Sequence, residues 1–292
     1  MGTGQTIVDA IQQNLIDPVS KVLWNYILIY LLVGAGLYFT MSTRFVQFRM
    51  FPQMIRNLIG SRGGSEGGIS SFQAFAVGLA SRVGTGNIAG VSIAVVLGGP
   101  GAVFWMWVVG LLGMSTALVE ATLAQLYKVR GGDGSFRGGP AYYIESGLKS
   151  RRFGVVFAVL LIFSFGVAFN MVQTNTIADV LHNAHTIDKT WTAVVLVVLT
   201  AAVIFGGVRR IAKLSEFVMP VFALVYVLMA LAIIVMNVSE IPTVLNEIFK
   251  SAFGLDPALA GVAGGVTAAL LNGTKRGLFS NCLLYTSDAA DE

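Results

Sequence analysis

Apolar residues along this chain come in long runs rather than in the short periodic stretches of a soluble helix or strand. Measured against the roughly 20 residues that cross a bilayer, seven runs qualify, at about residues 22–41, 72–98, 102–127, 153–181, 191–208, 216–237 and 256–273. Because lipid leaves backbone polar groups no outside partner, the pattern predicts an all-α integral membrane protein with about seven transmembrane helices. Ahead of the first run, residues 1–21 carry Ile7, Ile11 and Leu15 at helical spacing, which suits a short interfacial helix as well as a frayed terminus.

Two runs carry polar clusters. In the second, SSFQAFAVGLASRV reads as a half-helix and IAGVSIAVVLGG resumes the apolar pattern. Between them GTGN is a poor helix interior, each Gly costing about 1 kcal/mol relative to Ala. A discontinuous helix is therefore expected. Such breaks survive in lipid only where protein or a water-filled cavity covers them, and secondary transporters use them near the midplane to face a carboxylate and a cation. The alternative is that Gly84, Gly86 and Gly90 merely let helices approach closely. Spacing alone leaves both open. A dinucleotide fingerprint is a weak third reading, since GTGNIAG spaces its last two glycines one residue too far and no βαβ unit surrounds it.

Arg82, inside the same run, needs a partner. Glu120 is the acidic residue well inside the third run, eight residues before Lys128, hence about 12 Å from that basic end. An Arg82–Glu120 pair is expected there, as a gate or as a structural tie. In the fourth run, Asn170, Gln173 and Thr174 fall on one helical face. Their donors and acceptors suit a zwitterion or plain interhelical bonding. Pro220 is expected to kink the sixth run, and GVAGGV in the seventh reads as close packing or a second break.

Composition agrees: 12% of residues are charged, mean hydropathy is +0.76 and there are 34 glycines. A lone cysteine, Cys282, offers neither a disulfide nor a thiolate cluster. His182 and His185 lie together in what reads as a polar loop, so no metal site and no cofactor are expected. The isoelectric point near 9.3 does not indicate nucleic acid, because the basic residues are sorted by loop rather than gathered on a face. Thirteen follow the first, third and fifth runs (Arg44, Arg49, Arg56, Arg62; Lys128, Arg130, Arg137, Lys149, Arg151, Arg152; Arg209, Arg210, Lys213). The alternate loops and the N-terminus hold Lys21, Lys189 and Lys250. The positive-inside rule then places the N-terminus outside, in a multi-pass protein of the cell membrane. MGTGQTIVDAIQQ lacks a basic n-region, so no cleavable signal peptide is expected. A membrane-embedded transferase would need clustered carboxylates or histidines, and a channel would need charge rings or repeated filter carbonyls. Neither pattern is present, and these two classes stand as the alternatives.

GGPGAVFWMW (98–107), RVGTGNIAG (82–90), DGSFRGGPAYYIESGL (133–148), FNMVQTN (169–175) and KRGLFSN (275–281) together resemble the alanine/glycine:cation symporter family, also called the sodium:alanine symporters. The resemblance runs from about residue 20 to Asn281, with Gly110 a minor departure from the family pattern. It implies uptake of alanine or glycine coupled to Na⁺, or in some members H⁺, by alternating access. It also implies a five-plus-five inverted-repeat core preceded by one extra helix. Carried over by residue, it implies that Thr85, Gly86, Asn87, Asn170 and Gln173 bind substrate and that Gly84 and Asn87 serve the cation. The loop with Tyr142 and Tyr143 would fold tightly on the cytoplasmic side. Where the family continues E-A-G-M-G-S-A-P, this chain reads CLLYTSDAADE. Residues 22–281 are thus expected to be a partial transporter domain and 282–292 a tail outside the family. With most of the second repeat missing, the chain alone is not expected to transport.

Overall fold

The structure is a computed structural model that describes residues 10–60, 69–131, 136–255 and 264–280. The expectations for Ile7, for residues 261–263 of GVAGGV in the seventh run and for the tail 282–292 lie outside the described residues. Helices in chain order are α1 (Gln12–Ser42), α2 (Val46–Arg49), α3 (Phe51–Gly60), α4 (Ser71–Arg82), α5 (Thr85–Gly98) and α6 (Gly101–Leu126). A two-residue antiparallel ladder, β1 (Val129–Arg130) and β2 (Phe136–Arg137), follows. After it come α7 (Pro140–Gly147), α8 (Arg151–His185), α9 (Lys189–Ile204), α10 (Gly207–Met236), α11 (Ile241–Ala252) and α12 (Gly264–Ser280).

Among the described residues, five stretches are long and apolar enough to cross a membrane: α1, α4 with α5, α6, α8 and α10. The sequence suggested about seven. Of the other two, α9 has 16 residues, a rise of about 24 Å against a hydrocarbon core of about 30 Å, and described α12 carries Lys275 and Arg276 in its 17 residues. Helices also overrun their apolar runs. α1 begins at Gln12, ten residues before the expected start, without a break into a separate interfacial helix. Arg151 and Arg152 open α8, and Arg209, Arg210 and Lys213 lie in the first turns of α10 instead of a loop. His182 and His185 occupy the exposed last turn of α8, where a helix end favours basic groups. α10 runs on through Pro220.

The chain divides into two compact units. The first holds α1, α2, most of α5, the front of α6, α11 and α12. Small residues carry its closest helix contacts, as expected without a hydrophobic drive between helices. A Cβ on Gly273 of α12 would meet the Ala102 carbonyl oxygen of α6 at 2.4 Å and Trp105 Cβ at 2.8 Å. Gly277, one turn on, faces Val109 and Met106. Gly101, at the start of α6, sits equally close to the backbone of Ser251 and Ala252 at the end of α11. Phe104 meets Phe249 and Phe253 there at steep angles, with ring centroids 5.5 and 5.0 Å apart. Between α1 and α6, Ser115 donates to carbonyls of Gly36 and Leu112 and meets the Thr40 hydroxyl at 2.9 Å.

The second unit holds α3, α4, the break, the first turn of α5, the end of α6, the ladder, α7, α8, α9 and α10. The loop of Tyr142 and Tyr143 is folded tightly, as a ladder and one helix started by Pro140 at its first turn. Gly154 lets α8 approach α7, where a Cβ would stand 2.9 Å from the Ala141 carbonyl oxygen. α8 is π-helical over Ile162–Phe169, immediately before Asn170. Such a widened stretch marks functional positions in many helices. Thr186 ends α8 in the left-handed region (φ 56°) and Asp188 caps α9. Hydrogen bonds from the Thr190 hydroxyl, then from the Thr190 and Trp191 amides, hold the Asp188 carboxyl below the usual range.

Candidate functional site

The second apolar run is discontinuous, and the break is tighter than the glycines suggested. α4 ends at Arg82, Val83 is extended (φ −88°, ψ 104°), and helix resumes at Thr85. Asn87 N and Ile88 N both donate to the Gly84 carbonyl at 3.1 Å, so Gly84 is the capping residue of α5. Thr85, Gly86 and Asn87 are therefore its first turn, not the gap. A first turn needs no i−4 acceptors of its own, which is why Gly86 does not unwind it.

Asn87 reaches back across the break. Its Nδ2 donates to the Arg82 carbonyl oxygen, which the interrupted α4 leaves without an intrahelical partner. A carbonyl can accept only from the amide nitrogen, so the chemistry fixes this side chain's orientation. One asparagine thus pins the end of one half-helix to the start of the next. The arrangement sets two opposed fields side by side, the negative C-terminal end of α4 and the positive N-terminal end of α5.

Gln173 covers the break from α8. A Cβ built on Gly84 would lie 2.7 Å from its Nε2 and 3.5 Å from both Cδ and Oε1. Gly84 is required by this approach and not by its backbone angles, since its φ is outside the left-handed range. Of the candidate residues, Gly84, Asn87 and Gln173 are thus brought together, with Gly86 in the same turn. The Thr85 side chain lies outside the described residues. Asn170 stands apart: it is exposed, and its Nδ2 donates at 3.1 Å to the Gly166 carbonyl in the π-helical turn of its own helix. Arg82 and Glu120 are half-buried in the same unit, and each is engaged in an interaction.

One long-range polar contact escaped the sequence reading. Glu216 of α10 accepts a 2.8 Å hydrogen bond from Gln73 Nε2. Gln73 also completes the capping box of α4: its Oε1 accepts from Ser70 N at 3.0 Å, and Ser70 Oγ accepts from Gln73 N at 3.2 Å. The start of the half-helix is thereby tied to α10. The signals available were the S-x-x-Q spacing and an acidic residue at the head of an apolar run.

Long apolar helices, small-residue packing and a capped, covered break in one of them define a multi-pass membrane protein. The chain belongs to the sodium:alanine symporter family, whose model matches residues 9–282. It is 50% identical over 268 residues to the amino-acid carrier protein AlsT of Bacillus subtilis, covering 92% of this chain and 56% of that protein. It is 46% identical over 272 residues to the probable sodium/glutamine symporter GlnT of Bacillus subtilis (93% and 56%). It is 39% identical over 275 residues to the sodium/alanine symporter AgcS of Methanococcus maripaludis (92% and 60%). The chain thus spans somewhat more than half the length of these curated relatives. The family is one of transporters, not enzymes, and the match reaches eleven residues nearer the N-terminus than the motifs alone indicated.

Proposed function

We propose that this chain is part of a secondary active symporter that carries a small amino acid into the cell with Na⁺, by alternating access, around the break between α4 and α5. The observation that carries this reading is the Gln173 amide seated on Gly84 where two half-helix ends meet. There the first-turn amides of α5 suit a carboxylate, the last carbonyls of α4 suit an ammonium or Na⁺, and the Gln173 amide supplies a neutral donor and acceptor. Gly84 and Asn87 would serve the cation, and Thr85, Gly86, Asn87 and Gln173 the substrate. Asn170 would join them when its bond to Gly166 opens. Alanine and glycine are favoured over glutamine by the smallness of a site closed directly over a glycine. H⁺ coupling is the second choice, because the break offers neutral oxygens rather than a carboxylate. Arg82 and Glu120 would pair as a structural tie.

The wider architecture of this reading is a membrane domain over residues 22–281 with seven spans, the N-terminus outside and a five-plus-five repeat preceded by α1. The test is uptake of labelled alanine into proteoliposomes by a full-length chimera carrying residues 9–282 in place of the matching part of AlsT. Uptake should saturate and collapse when the sodium gradient is dissipated. Uptake that ignores the gradient, or none where AlsT itself transports, would overturn the proposal.

A further inference from the structure

We propose that the corner following α1 is a docking surface for the headgroup of an anionic phospholipid. α1 closes with Thr43 Oγ1 donating to the Phe39 carbonyl at 2.7 Å. Arg44 and Phe45 then both take left-handed backbone angles, φ 54° and 53°, a conformation that bulky L-residues avoid. Arg44 N on Met41 O at 3.0 Å and Phe45 N on Thr40 O at 2.8 Å hold the corner. Phe48 N and Arg49 N, both on Phe45 O, start α2 from it.

This costly bend sorts the side chains. Val46 and Gln47 turn inward and are buried, Gln47 Nε2 donating to Thr40 Oγ1 at 3.4 Å. Arg44, Phe45, Phe48 and Arg49 turn outward, with Phe45 55% and Phe48 61% exposed. Two rings and two guanidiniums therefore share one outer face at the end of a membrane-crossing helix. Rings suit the boundary between acyl chains and headgroups, and guanidinium suits phosphate. Among the described residues neither arginine has an ion-pair partner. From Pro18 to Ser65 the sequence has five basic residues, Lys21, Arg44, Arg49, Arg56 and Arg62, and no acidic one. With no acidic residue in that stretch of sequence and no ion-pair partner for Arg44 or Arg49 among the described residues, the complementary group is an anion at the membrane surface.

The test uses the full chain in bilayers with F48W as a reporter, read as the fluorescence it adds over the unsubstituted chain. Brominated phosphatidylglycerol should quench that added signal more effectively than brominated phosphatidylcholine, with about a fivefold preference for each arginine engaged. R44Q/R49Q should bring the preference to near unity, whereas R44K/R49K should keep most of it. Equal quenching by the two lipids, a preference that survives R44Q/R49Q, or quenching by neither lipid would each overturn the proposal.

Discussion

Gly84→Ala lowers the affinity for alanine by about tenfold to a hundredfold while the protein still folds. The added methyl would stand 2.7 Å from Gln173 Nε2, well inside the 3.5–4.0 Å or so of a comfortable contact. What yields is the far end of a flexible side chain, so the fold is spared and the amide moves by up to about 1 Å. A displacement of that size in a positioned group costs on the order of a hundredfold. The signature is non-additivity: once Gln173→Ala has removed the amide, Gly84→Ala should cost little more. Equilibrium binding to the full-length chimera and its single and double variants, alongside their thermal midpoints, measures this. Equal losses with and without Gln173 would separate the two residues.

Gly273→Ala does the opposite, abolishing assembly rather than binding. Here the methyl would meet a backbone carbonyl oxygen, Ala102 O at 2.4 Å, in the contact between α12 and α6. No rotamer relieves that clash, so the helices must part and Gly277 loses its seat on Val109. Overpacking of this kind costs about 1–3 kcal/mol where neighbours can adjust, and backbone cannot. The expected result is loss of the monodisperse peak in detergent chromatography. Gly110→Ala is the matched control on α6, since nothing lies within 4 Å of its added methyl, and it should leave the peak unchanged. A stable Gly273→Ala protein would mean that the small-residue seam is not what holds the first unit together.

The break was legible in the sequence because polar and glycine residues interrupt an apolar run, but its place was not. Glycine count pointed at GTGN as the gap, whereas the helix restarts at Thr85, since first-turn residues lack intrahelical acceptors whatever their type. Spacing put Gln173 on one helical face with Asn170 and Thr174, and the resemblance suggested that this face meets the break. The same spacing could not tell that Asn170 would satisfy itself on Gly166, because π-helical geometry one turn earlier is not written in hydropathy. Span starts were set late at Gln12 and Arg151 because a helix continues into water while the apolar signal stops at the lipid. Glu216 was overlooked because its partner, Gln73, is 143 residues away. The left-handed corner at Arg44 and Phe45 breaks every local preference and is visible only in three dimensions.

The most direct measurement of the central claim is substrate protection at the break. Thr174, half-buried beside Gln173 on α8, would be replaced by cysteine (T174C) in a cysteine-free version of the full-length chimera, and its rate of modification by a small thiol reagent followed. Alanine with Na⁺ should slow the reaction severalfold, and alanine with choline in place of Na⁺ should not. An identical rate under both conditions, in a protein that still takes up alanine, would place the substrate elsewhere and contradict the account.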